Sequence, residues 1–188
     1  MQEIEVKILK IDVEATLAQL QELGAHYVGE KNLSAILLDT PRRDLSKKNG
    51  SLRLRQENDT CYLTYKAFGG KQQFKNLKET EIIVSDFQQA KNLLSAIGYS
   101  NVYRSYEKKR FEFTLGNATI CIDKYLNALS YIPVFMEVET RTEEDMVLAL
   151  KTLGIDKSQA KHYSLSDLLR IYKPEPIPQA EMEPYSDY

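Results

Sequence analysis

The chain has 188 residues, 43% of them hydrophobic, which is enough for one well-packed core and argues against a second domain. Its 25 basic and 27 acidic side chains nearly cancel to a formal charge of -2, so no uniform field points to nucleic acid or to a membrane surface. No apolar run approaches the ~20 residues that span a bilayer, and Met1-Gln2-Glu3 lacks the basic and apolar regions of a signal peptide, so a cytoplasmic location is expected.

The first period-2 alternation covers residues 3–9. A helix follows, capped by Asp12, with Leu17, Leu20 and Leu23 at helical spacing and Gly24 as its stop. Strand patterns then run over 35–39, 51–57, 61–66 and 78–84. A second helix is expected after Ser85, with Gln88 completing a capping box, an apolar face of Phe87, Ala90, Leu94 and Ile97, and a stop at Gly98. Three more strand patterns occupy 107–113, 119–123 and 134–140. A third helix follows Thr142, carries Met146, Leu150 and Leu153 on one face, and stops at Gly154.

Strand, helix and three strands thus occur twice, from Glu3 and from Lys78, as in an internal pseudo-repeat. The expected fold is α+β: about eight antiparallel strands in a closed or nearly closed barrel, with helices packed outside. Residues 1–172 form the expected folded unit, and 173–188, which hold Pro174, Pro176, Pro178 and Pro184, an acidic, loosely docked tail. Cys61 and Cys121 read as buried thiols, and two histidines without a CxxC make an ordinary zinc site improbable.

Alternate residues of a strand share a face. One face therefore collects Glu3, Glu5 and Lys7; Arg53 and Arg55; Lys66; Glu79 and Glu81; Lys108 and Arg110; Asp123; and Glu137 and Glu139. For a single strand this is the ordinary solvated side of a sheet. In a closed sheet the same charges share one cavity, tolerable when acid and base interleave and a ligand or metal neutralises the remainder. Carboxylates two residues apart suit Mg²⁺ or Mn²⁺, and arginine forks with lysine ammonium groups suit phosphate oxygens. There is no Walker A pattern and no GxGxxG loop.

The residues that carry this reading also carry a resemblance. Glu3-x-Glu5-x-Lys7 resembles the ExExK signature of the CYTH proteins, or triphosphate tunnel metalloenzymes, which include class IV adenylyl cyclases and thiamine triphosphatases. The later landmarks follow in the family's order: Leu52-Arg53-Leu54-Arg55, Leu63-Thr64-Tyr65-Lys66, Glu79-Thr80-Glu81, Lys108-Lys109-Arg110, Cys121-Ile122-Asp123, Glu137-Val138-Glu139 and Lys161-His162-Tyr163. The overall texture is similar to the class IV adenylyl cyclase-like subgroup, whose members need not be cyclases.

The resemblance implies that Glu3, Glu5, Asp123, Glu137 and Glu139 bind Mg²⁺ or Mn²⁺. It implies that Lys7, Arg53, Arg55, Lys66, Lys108, Arg110 and Lys161 hold a triphosphate, with Glu79 and Glu81 serving a second metal or orienting the cations. Lys7 is the candidate proton-handling residue, on the expectation that neighbouring cations lower its pKa. The substrate would be tripolyphosphate, ATP or thiamine triphosphate, in a monomer or homodimer, with no nucleic acid or membrane partner. Hydrolysis of the triphosphate is the leading activity. Cyclisation of ATP to cyclic AMP and pyrophosphate is the alternative, and a noncatalytic polyphosphate- or nucleotide-binding module is the reading from another class.

Overall fold

The computed structural model describes residues 2–68 and 77–173, without the side chains of Gln2, Glu3, Phe68, Leu77 and Lys78. The expected metal-binding side chain of Glu3, and all of the expected tail after Lys173, thus lie outside the described residues. The first half runs β1 (Gln2–Ile8), α1 (Val13–Glu22), β2 (His26–Asp39), α2 (Asp44–Lys47), β3 (Gly50–Glu57) and β4 (Thr60–Phe68). The second runs β5 (Leu77–Val84), α3 (Phe87–Ala96), β6 (Asn101–Leu115), β7 (Ala118–Tyr125) and β8 (Phe135–Thr140), followed by α4 (Glu143–Thr152) and α5 (Leu165–Ile171).

The strands form one antiparallel sheet, in the order β5-β4-β3-β2-β6-β7-β8-β1, curled into a half-barrel with the helices outside. Each half keeps its last three strands together and gives its first strand to the other half: β5 lies on β4, and β1 on β8. Between β1 and β5 the described pairing is two residues long, Gln2 with Lys78 and Glu3 with Leu77.

Most apolar residues of the strands lie under the helices. Ile4, Val6, Ile120 and Val138 are buried with Leu20 of α1 and Met146 and Leu150 of α4, and full burial of each is worth roughly 1.5–3 kcal/mol. A second cluster joins Leu38, Leu52 and Leu54 to Leu94 of α3. A third, built on Tyr125, Ile132, Phe135 and Leu168, holds α5 against the sheet and packs Tyr163 as well. With that side facing the helices, the charged faces of β1, β3, β5 and β8 turn into the curl.

Caps set the helix starts. Asp12 and Thr142 accept from the backbone N–H groups of Ala15 and Asp145, as expected. The second helix corrects the expectation: its cap is Asp86, which accepts from Gln89 N–H at 2.6 Å, and Ser85 stays outside. β2 and β6 are longer than their alternation suggests. They pair along nearly their whole lengths, past a bulge between Tyr27 and Gly29, so cross-strand hydrogen bonding carries residues 26–34 through a stretch with no apolar period.

Candidate active site

Register brings the charges to one side. Glu5 faces Glu139, and Lys7 faces Glu137, across β1 and β8. Arg110 faces Asp123; Lys66 and Thr64 face Glu79 and Glu81; Arg53 faces Thr64. They surround a cavity of about 850 Å³, lined by Glu5, Arg53, Arg55, Lys66, Glu79, Glu81, Lys108, Arg110, Glu137 and Glu139 among the residues expected from sequence.

One wall is acidic. Carboxylate oxygens of Glu5, Glu137 and Glu139 lie within 4.8 Å of one another, close enough to share a cation. Lys7 Nζ donates to Glu137 Oε1 at 2.9 Å and approaches Glu5 Oε1 at 3.5 Å. Arg110 donates to Glu137 Oε2 at 2.9 Å and to Glu139 Oε1 at 3.3 Å. Burial opposes ionisation of Glu137, yet Lys7, Arg110 and Lys108 hold its carboxyl well below the usual range. Glu139 goes the other way: burial raises it, Arg110 pulls it down, and the Glu137 and Glu5 charges push it up again. Three hard oxygen donors with repelling charges fit Mg²⁺ or Mn²⁺. Two expectations change here. Lys7 sits among carboxylates and not among cations; burial works against its charge, but Glu137 and Glu5 raise its pKa. Asp123 stands apart from the triad as the fully buried counter-ion of Lys108 and Arg110, accepting from Arg110 Nε and an Nη at 2.7 Å each.

The opposite wall is basic and looser. Arg53 is 3.7 Å from Glu79 and 3.8 Å from Glu81; Arg55 is 3.5 Å from Glu57 and 3.4 Å from Glu81. Charge-assisted bonds are usually about 2.7–2.9 Å. The buried Nε of both arginines has no hydrogen-bond partner among the described residues, an arrangement a ligand oxygen would complete. Lys66 pairs with Glu79 at 2.8 Å, and Thr64 donates to Glu81 at 2.6 Å, so Glu79 and Glu81 orient the basic wall.

Lys161 is exposed and is not brought to the cavity. Its backbone instead exchanges hydrogen bonds with that of Lys7 (2.7 and 3.0 Å), while His162 Nδ1 lies 2.9 Å from the Glu5 carbonyl oxygen. This segment therefore fixes β1. Sequence reasoning missed a further group on the cavity wall, Lys31 bridging Glu57 (2.8 Å) and Glu112 (2.7 Å). The alternation of Glu57 with Arg55 and Arg53, and of Glu112 with Arg110, could have pointed to two of the three.

The inward-facing half-barrel thus sets an oxygen-donor triad opposite two arginine forks. The chain belongs to the CYTH domain family, whose sequence model matches residues 1–172. Family members are metal-dependent, consistent with an enzyme. A Methanocaldococcus jannaschii protein, provisionally named an adenylate cyclase, is 24% identical over 173 residues, covering 89% of this chain and 98% of that protein. A Pyrococcus horikoshii protein superposes with a TM-score of 0.73 at 22% identity, over 88% of this chain and 98% of its own. A Hippeastrum protein, provisionally an adenylyl cyclase and described as having a dominant triphosphatase activity, superposes with a TM-score of 0.65 at 16% identity, over 94% and 98%.

Proposed function

We propose that this chain is a divalent-metal-dependent phosphohydrolase that cleaves the terminal phosphate from a triphosphate. The observation that carries the reading is the pairing of two arginines, each with a buried Nε unpartnered among the described residues, with a carboxylate triad on the facing wall. In this reading the β1–β5 seam closes the curled sheet into a tunnel, residues 1–172 are the working unit with 173–188 appended, and the protein acts in the cytoplasm.

Glu5, Glu137 and Glu139 would hold Mg²⁺ or Mn²⁺, with Glu3 as a further candidate ligand. The ion supplies charge neutralisation at the phosphoryl group and lowers the pKa of an attacking water. Arg53, Arg55 and Lys66 hold the chain in line, and Lys108 and Arg110, fixed by Asp123, face it from the acidic side. Among the described lining residues the only aromatic is Tyr62, and the Arg55 guanidinium covers its ring at 4.9 Å. A base reader uses an open stacking face, so the cavity suits an inorganic chain or the phosphate end of a larger molecule better than a clasped adenine.

Incubation with tripolyphosphate, ATP and thiamine triphosphate under Mg²⁺ and Mn²⁺ tests this, with products separated. Orthophosphate release is expected, with Arg55→Ala lowering kcat on the order of 10²-fold and Glu5→Gln weakening metal binding. Cyclic AMP with pyrophosphate would replace hydrolysis by cyclisation. Tight binding indifferent to chelator, without turnover, would leave a noncatalytic module.

A further inference from the structure

Among the described residues the triad carboxylates are engaged by two cations, Lys7 and Arg110, and these are tethered differently. Arg110 spans Glu137 and Glu139 but is also locked to Asp123 by two 2.7 Å bonds. The side-chain hydrogen bonds of Lys7 go to Glu137 and Glu5, both members of the triad. Its backbone is pinned through Lys161, so the four-carbon stem is the part free to move. A Mg²⁺ ion takes oxygens at about 2.0–2.1 Å and brings twice the charge of an ammonium. It cannot share the Glu137 oxygen that faces Lys7 on equal terms.

We propose that Lys7 is the resident counter-cation of the triad: an incoming divalent ion displaces its ammonium from Glu137 and Glu5, and the released ammonium joins the cations that hold the phosphate chain. The proposal rests on the reading that Glu5, Glu137 and Glu139 take the metal, and it adds a consequence to that reading. Before metal enters, Lys7 is committed to carboxylates; afterwards it is available to an anion. Capture of the phosphate chain thereby becomes conditional on the metal, and Lys7 links the two.

The test uses the full chain and two readouts that need no turnover. Mn²⁺ binding is followed by loss of the free-ion EPR signal in wild type, Lys7→Met and Lys7→Arg, with thermal melts to establish folding. Lys7→Met, freed of the competitor, should bind Mn²⁺ about tenfold more tightly, as expected for loss of one charge-assisted bond to the carboxylate, and Lys7→Arg no more tightly than wild type. In ¹⁵N-lysine-labelled wild type, the Lys7 ammonium resonance, assigned by its absence from Lys7→Met, should shift when diamagnetic Mg²⁺ saturates the site. A folded Lys7→Met with unchanged or weaker Mn²⁺ affinity, or a Lys7 resonance unmoved by Mg²⁺, overturns the exchange while leaving the triad in place. Should Lys7→Met not fold, the resonance, assigned instead from Lys7→Arg, decides. Wild type that binds no Mn²⁺ at all removes the triad reading itself.

Discussion

Asp39 shows how a single carboxylate can position a strand of the site from outside it. It is buried at the end of β2 and accepts four hydrogen bonds: Thr40 N–H at 2.8 Å, Leu45 and Ser46 N–H at 3.0 Å each, and the Ser46 hydroxyl at 2.7 Å. These tie down the turn and α2 that deliver β3, and with it Arg53 and Arg55. Burial alone would raise the Asp39 pKa, but the Ser46, Leu45 and Thr40 donors outweigh it and the net shift is downward. A carboxyl depressed in the folded state contributes stability that is present above its unfolded pKa of about 3.9 and is lost as pH falls through the folded value. Asp39→Asn turns one acceptor into a donor facing N–H groups and should cost about 1–3 kcal/mol at pH 7. Melts of both proteins from pH 7 down to pH 3 should show the gap narrowing below about pH 4; a gap independent of pH would place the contribution elsewhere.

The elements repeat more closely than their residues do. α1 and α3 match in place, 12 with 86 as caps, 20 with 94 as the buried leucines and 24 with 98 as the positive-φ glycines, each pair 74 positions apart. The glycine stops, the apolar spacing and the Asp12 cap were legible as local signals, whereas the cap of α3 lies one residue past the Ser85 that the Ser85–Gln88 spacing suggested. The charged face was legible for the same reason, because period 2 assigns sides without knowledge of partners. What stayed hidden depends on neighbours. Nothing local tells Asp123 from Glu137, yet one neutralises Arg110 and Lys108 while the other joins the triad. Lys31 lies in the part of β2 with no apolar alternation, and Lys7 was misread because its carboxylate neighbours come from β8 as well as from β1. The two helix leucines also differ in surroundings. Leu20 lies in the large cluster under α4, and Leu94 in the smaller one over β3. Leu→Ala substitutions cost about 2–5 kcal/mol, more where the site cannot collapse. Leu20→Ala should fall at the upper end and Leu94→Ala at the lower in urea melts, and the double variant should lose close to the sum. A strongly non-additive double variant would mean that the clusters act as one core.

At the scale of the molecule the inward charges and the seam between the two walls pose one problem. The acidic wall is carried by β1 and β8 and the arginine wall by β3, with the β1–β5 pairing on the way between them. Local opening follows the number of hydrogen bonds and buried contacts that must break, so amide exchange should be slow in β2 and β6, which pair along nearly all of both strands. A ligand held by Arg53 and Arg55 on one side and, through metal, by Glu5 and Glu137 on the other would staple the two walls across the β1–β5 seam. Binding only the folded state at a hundred times Kd adds about 2.7 kcal/mol, which for a chain of this size raises Tm by about 5–10 °C. With Mg²⁺ and tripolyphosphate together, protection should therefore rise most for amides of β1 and β5, beyond the effect of either alone. Protection that rose only in β3 and β4 would show the anion resting on the arginine wall without reaching the triad, and the metal-assisted reaction would lose its geometry.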